Sequence, residues 1–291
     1  MLERDDPAWL EAQYNNRARV PDHARHLSNW ADASALARVE SLASLDLRYG
    51  PAPGQTLDVF PASVRVKPSP VLLFIHGGYW RSLDKSDHSF VAPAFNAEGA
   101  LVVVPNYDLC PHVTIEQIVM QLVDAVVWTI RHAAEFGADP RRIALAGHSA
   151  GGHLVAMLLS CRWKQLGLDL PAQPLLGGLS ISGLFDLEPL RLTPSLAPDL
   201  RLTPASVKRL SPAFFPRPRV PLYTVAGALE SEEFLRQNRL IRDVWGPTAV
   251  PVCETLPGAD HFSVLANLAD PAGMLHQLAC RLLGLREAQA S

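Results

Sequence analysis

From residue 56 onward, short apolar runs alternate with longer stretches in which apolar residues recur every three or four positions. Thr56–Phe60, Val71–Ile75, Leu101–Val104, Ile143–Ala146, Leu176–Ser182, Leu222–Ala226 and Val250–Thr255 read as strands, and Lys85–Glu98, Ile115–Phe136, Ser231–Trp245 and Ser263–Leu285 read as helices. Such alternation predicts an α/β fold: a mostly parallel, twisted sheet covered by helices on both faces, with functional residues at the carboxyl ends of the strands. Residues 1–54 are polar and helix-compatible, and Pro51-Ala52-Pro53-Gly54 separates them from the first strand. The rhythm breaks again over 186–221, where Pro189, Pro194, Pro198, Pro204, Pro212, Pro216, Pro218 and Pro221 allow only short helical pieces. An insertion between two late strands is expected to cover the site as a cap or lid. Residues 1–291 are therefore expected to form a single domain, since a chain that is 48% hydrophobic at this length can bury one large core.

Composition narrows the partners. The apolar stretch Ile118–Ile130 is interrupted by Gln121 and Asp124 at helical spacing, so it predicts an amphipathic helix rather than a membrane span. The formal charge of −3 comes from interspersed acids and bases, which argues against nucleic acid and anionic membrane as partners. The four cysteines, Cys110, Cys161, Cys253 and Cys280, lie far apart and form no CxxC pair, which speaks against a zinc site and a disulfide framework. Met1-Leu2-Glu3-Arg4-Asp5-Asp6 carries acids where a secretory leader would carry bases and then apolar residues, so a cytoplasmic protein is expected. No metal and no cofactor are expected; a small molecule is the expected partner, with room left for a homodimer.

The chemistry concentrates at Gly147-His148-Ser149-Ala150-Gly151, a GxSxG sequence directly after the run Ile143–Ala146 and directly before the helix-compatible Gly152–Leu159. Strand, tight turn, serine and helix make a nucleophile elbow, which exposes the hydroxyl of Ser149 at the end of a sheet. Serine needs a base, and His261 is the best placed of ten histidines, in a loop after the last expected strand. His148 and His153 flank the elbow without reaching round it. The acid is expected at Glu230, just past the strand Leu222–Ala226, with Asp186 as the rival carboxylate after the preceding strand. Asp260, beside His261, reads as a loop cap. An oxyanion hole is expected from the N–H groups of Gly77, Gly78 and Ala150, because His76-Gly77-Gly78-Tyr79-Trp80 follows a strand as HGGG-type loops do. His76 reads as a residue that holds this loop, and Tyr79 and Trp80 as candidate walls of the substrate pocket.

HGGYW at 76–80, NYDLCP at 106–111, GHSAGGH at 147–153, SGLFDLEPL at 182–190, GALESEEFLRQN at 227–238 and DHFSVL at 260–265 together resemble the kynurenine formamidase (arylformamidase) branch of the α/β-hydrolases. The similarity extends to Gln13-Tyr14-Asn15-Asn16-Arg17 and Tyr49-Gly50, so it covers nearly the whole chain. The resemblance implies an α/β-hydrolase fold, Ser149 as nucleophile, Glu230 as acid and His261 as base, with Gly77, Gly78 and Ala150 forming the hole. It also implies cleavage of an aryl formamide such as N-formylkynurenine through an acyl-enzyme. Glu230 stands where eukaryotic members of that branch carry Asp. A short-chain carboxylesterase uses the same machinery and stays open, as does a non-catalytic binding protein that keeps the fold.

Overall fold

The computed structural model describes residues 6–64, 68–167 and 169–285. Strands β1 (Ser44–Arg48), β2 (Thr56–Phe60), β3 (Ser69–Ile75), β4 (Leu101–Pro105), β5 (Ala138–His148), β6 (Leu175–Ile181), β7 (Leu222–Gly227) and β8 (Val252–Leu256) form one sheet in the order β1-β2-β4-β3-β5-β6-β7-β8. β2 runs antiparallel to both of its neighbours, and every pairing from β4 through β8 is parallel. Helices α1 (Pro7–Tyr14), α2 (Asn16–Arg19) and α3 (His23–Glu40) precede the sheet, and α4 (Ala92–Ala97) and α5 (Ile115–His132) connect its first strands. After β5 come α6 (Ala150–Leu159) and α7 (Trp163–Leu166); α8 (Glu188–Leu192), α9 (Ala197–Leu200) and α10 (Pro204–Leu210) lie between β6 and β7. α11 (Glu232–Trp245) joins β7 to β8, followed by α12 (Ala266–Ala269) and α13 (Met274–Leu283).

Side-chain alternation along the strands sorts the interior into two cores, one on each face of the sheet. Val71, Leu73 and Ile75 of β3 join Leu145 of β5 and face α5 and α6, while Leu72 and Phe74 join Ala144 and Ala146 and face α4 and α13. All seven residues of β3 are buried, so the sheet centre is covered on both sides. Each such Leu or Phe contributes roughly 1.5–3 kcal/mol by leaving water. α5 presents one apolar face to that core through Ile115, Ile118, Leu122, Ala125 and Val126, behind a capping box of Thr114 and Gln117. No helix among the described residues is long and apolar enough to cross a membrane.

The structure departs from the periodicity in three places. Ser44–Arg48, inside the segment read as helix-compatible, is an edge strand whose half-buried Leu45 and Leu47 alternate with Asp46, the residue at φ 57 where the register shifts. The single helix expected over Lys85–Glu98 is two 3-10 turns, Lys85–Asp87 and Ser89–Val91, and then α4. There the ammonium of Lys85 is drawn to Asp46 (2.6 Å) and Asp58 (2.8 Å), and Pro93 opens α4. The long last helix breaks at Asp270-Pro271-Ala272-Gly273, because the residue before a proline avoids helical dihedrals. Met1–Asp5, which carried most of the expectation about a leader, lie outside the described residues.

Candidate active site

Ladder register sets the site. Ile75 pairs with Gly147, Gly147 with Ser180, Ser180 with Thr224 and Thr224 with Cys253, so β3, β5, β6, β7 and β8 end at one rim of the sheet. The segments that leave this rim carry Gly77, Ser149, Ser182, Glu230 and His261.

Ser149 has φ 57 and ψ −117, a conformation that costs an L-residue about 1–3 kcal/mol and persists only where its surroundings enforce it. They do so through its N–H, which donates to the Ile181 carbonyl at 2.8 Å, and through two glycines. A Cβ at Gly151 would fall 2.0 Å from the Ile75 carbonyl oxygen, and one at Gly147 would fall 2.4 Å from that of Gly151. Only glycine lets strand, turn and helix close so tightly around the serine.

His261 Nε2 lies 3.0 Å from Ser149 Oγ, and His261 Nδ1 lies 2.7 Å from Glu230 Oε2. A carboxylate can only accept, so the Nδ1–H donates to Glu230 and Nε2 is left to accept from the serine hydroxyl. The second carboxylate oxygen of Glu230 accepts from the Ser182 hydroxyl at 2.5 Å and the Gly227 N–H at 2.7 Å. Ser149, His261 and Glu230 are 2%, 5% and 8% exposed, so the chain of bonds runs in a medium where each is stronger than in water. An arrangement of this kind can deprotonate a hydroxyl as it attacks and hold the imidazolium that results. The rival carboxylate, Asp186, turns elsewhere: it caps the N–H of Glu188 at 3.1 Å and faces Arg236 at 3.6 Å. Asp260 accepts from the N–H groups of Phe262 and Ser263, each at 2.8 Å, and so shapes the loop that presents His261.

Beside the serine, Gly78, Tyr79 and Trp80 take φ of 100, 51 and 55. A Cβ at Gly78 would meet the Ser82 carbonyl oxygen at 2.1 Å. The turn leaves the N–H groups of Gly77, Gly78, Tyr79 and Ala150 without an acceptor in the chain among the described residues. Ala150 begins α6, whose amino end carries partial positive charge. His76 holds this loop from below, spanning the Gly77 carbonyl at 2.9 Å and Asn106 Oδ1 at 3.1 Å and stacking on Tyr107 at 4.2 Å. Burial lowers the pKa of the His76 imidazole.

These groups open into a cleft of about 280 Å³. Tyr79 lines it, and its hydroxyl donates to the Tyr14 carbonyl at 2.7 Å. Trp80 does not share that role, because positive φ at both residues sends it inward, where it is wholly buried and edge-on to His153 at 4.9 Å. The remaining walls come from outside the sheet: Tyr14, Asn16 and Trp30 from the amino-terminal helices, and Ser195, Leu196 and Asp199 from the segment read as a cap. The cap segment was expected to cover the site, whereas the part taken by the amino-terminal helices was not readable from the sequence, and neither was the bond from Ser182 to Glu230, although Ser182 stands at a strand end where functional residues gather.

The sequence profile of the α/β hydrolase fold matches residues 72–214, which contain the loop at 76–80 and the elbow. A kynurenine formamidase of Danio rerio is 31% identical over 94% of this chain and 96% of its own length, and an esterase of Gibberella moniliformis is 34% identical over 41% of this chain and 37% of its own. Among solved structures, a candidate thioesterase from Silicibacter sp. TM1040 superposes with a TM-score of 0.81 at 30% identity, covering 91% of this chain and 97% of that one. Fold, rim geometry and near full-length similarity agree, and the chain belongs to the kynurenine formamidase branch of the α/β-hydrolases.

Proposed function

We propose that the protein is a serine hydrolase that cleaves a small acyl group from an aryl formamide of the N-formylkynurenine type through an acyl-enzyme. Ser149 is the nucleophile, His261 the base and Glu230 the acid that orients the imidazole. As Ser149 Oγ attacks the formyl carbon, its proton passes to His261 Nε2, and the carbonyl oxygen gains negative charge facing the N–H groups of Ala150, Gly77 and Gly78. Collapse of the tetrahedral intermediate breaks the C–N bond, and His261 gives its proton to the departing aryl amine. Water, deprotonated by the same imidazole, then attacks the formyl ester, frees formate and restores Ser149. Tyr79 walls the cleft, with Trp80 supporting the loop from behind. The observation that carries this reading is the unbroken line Ser149–His261–Glu230, with bonds of 3.0 and 2.7 Å, beside the N–H groups of Ala150, Gly77 and Gly78, which have no acceptor among the described residues.

A short-chain carboxylesterase is the second reading, favoured by a cleft whose volume of about 280 Å³ leaves room for more than a formyl group. A non-catalytic binding protein would fail to react with a fluorophosphonate probe, whereas the proposal expects labelling at Ser149. Side-by-side kinetics on N-formylkynurenine and on p-nitrophenyl acetate and butyrate separate the enzymatic readings. A formyl-shaped site prefers the formamide, and a strong preference for butyrate replaces the formamidase with the esterase. A cytoplasmic location belongs to the same proposal and is supported by the free thiols of Cys110, Cys161 and Cys253.

A further inference from the structure

His148, between Gly147 and the nucleophile, is 3% exposed and touches the main chain of the relay's middle member. Its Nε2 lies 2.8 Å from the carbonyl oxygen of His261. A carbonyl only accepts, so Nε2 carries the proton and donates. The two imidazoles stand 4.8 Å apart at 42°, and the edge of Trp30 closes on His148 at 6.0 Å and 85°. Burial holds the His148 imidazole well below its ordinary pKa, and the neighbouring His261 and His88 push the same way. The ring therefore stays neutral and its Nε2–H is fixed by the one acceptor it faces.

The loop that carries His261 is otherwise tied to itself, through Asp260, and to the turn after β7, where the Leu229 N–H donates to the Ala259 carbonyl at 3.0 Å. Glu230 fixes the imidazole at Nδ1, which leaves the ring free to pivot about that bond unless its main chain is also held. We propose that His148 is a positioning residue for acyl transfer: its Nε2–H clamps the main chain of His261 to the strand that carries Ser149, so nucleophile and base share one mount. The inference rests on the acyl-transfer reading of this site. A displacement of about an ångström between reacting groups costs up to about a hundredfold in rate, so one backbone bond in this place governs turnover.

The experiment compares His148→Phe, which keeps the aromatic contacts with Trp30 and His261 and removes the donor, with His148→Gln, whose amide N–H reaches a similar distance. The Phe variant is expected to lower kcat by roughly ten- to a hundredfold, with KM within about twofold, for the formamide and the p-nitrophenyl ester alike. The Gln variant is expected to recover most of that loss. In substrate-free enzyme, the low-field proton resonance of the His261–Glu230 bond should broaden in the Phe variant and return in the Gln variant. Wild-type kcat in the Phe variant overturns the inference. So does a loss that Gln does not restore, or a resonance unchanged in both variants. Ser149→Ala is run in parallel: full activity there sinks the acyl-transfer reading itself, while the resonance still reports on the clamp.

Discussion

The floor and the walls of the cleft are held by different means. On the floor, Ser149, Ser182, Glu230 and His261 leave adjacent strands within a few residues of their last ladder bonds, and so inherit the rigidity of a sheet whose centre is buried on both faces. The walls come from segments outside the sheet, fastened by a few long-range bonds. Tyr79 is fastened to Tyr14, Arg81 reaches the Ser195 carbonyl and Asp199, both at 2.6 Å, and the Ser195 N–H reaches Glu11 at 2.9 Å. On the proposed reading, the contrast teaches that bond-breaking and choice of substrate reside in separable parts. Damage to the floor is expected to cost rate, and damage to the walls to cost stability and fit.

The largest expected effect tests the floor. Ser149→Ala should lower kcat/KM for p-nitrophenyl acetate by a factor on the order of 10⁶ while moving Tm by no more than about 2 °C, read by steady-state kinetics and a thermal melt. Turnover that survives would move the chemistry off this serine. Glu230→Gln comes next, with kcat expected to fall about 10³- to 10⁴-fold because the amide no longer fixes the His261 tautomer. A near-normal rate would hand the acid role to another carboxylate, with Asp186 the first to substitute.

Acid sensitivity also belongs to the floor. Burial pushes His88 down to about 3 and His153 down to about 4, and it lowers His76 and His148 from the same ordinary value of 6.5. Unfolding lets each regain the ordinary value, so the unfolded chain binds more protons than the folded one below that pH. Stability is then intact above about pH 6.5 and falls as the pH drops towards 4, by about 1.4 kcal/mol per pH unit for each of His88 and His153, with His76 and His148 adding in the same direction. Urea unfolding at pH 7, 6 and 5 measures this, and a flat profile would mean that these rings are charged in the fold.

The smallest effect tests the walls. Tyr14→Phe removes a hydroxyl that donates to Glu233 at 2.7 Å and accepts from Gln237 at 3.1 Å. It should cost about 1–3 kcal/mol in urea unfolding, raise KM, and leave kcat within about threefold. A kcat that collapses while KM holds would erase the distinction between floor and walls.

The same division decides what was legible in the sequence. The elbow could be read because its neighbours along the chain, Ile143–Ala146 and Gly152–Leu159, already imply the strand and the helix that give GxSxG its shape. The positions of Glu230 and His261 followed from strand order alone. Ser182 and His148 escaped because their importance lies in bonds to Glu230 and to the His261 carbonyl, which no local pattern encodes. The sequence leaves His148 unable to reach round the elbow; it does not reach the serine hydroxyl, but it does meet the main chain of the base. Trp80 was misplaced for a related reason, since adjacent residues point apart once both take positive φ. Strand β1 was missed because two half-buried leucines around a bulge make too short an alternation to stand out in a polar segment.

The span of the relay also bears on how the protein comes into being on a ribosome. Ser149 is translated 112 residues before its imidazole partner, and Tyr14 waits a further 219 residues from its own synthesis for Glu233. A nascent chain can thus complete the elbow while still lacking any means to activate it. If the proposed relay is the working one, hydrolytic competence arrives late, after α11 and the loop beyond β8 have emerged to receive both ends.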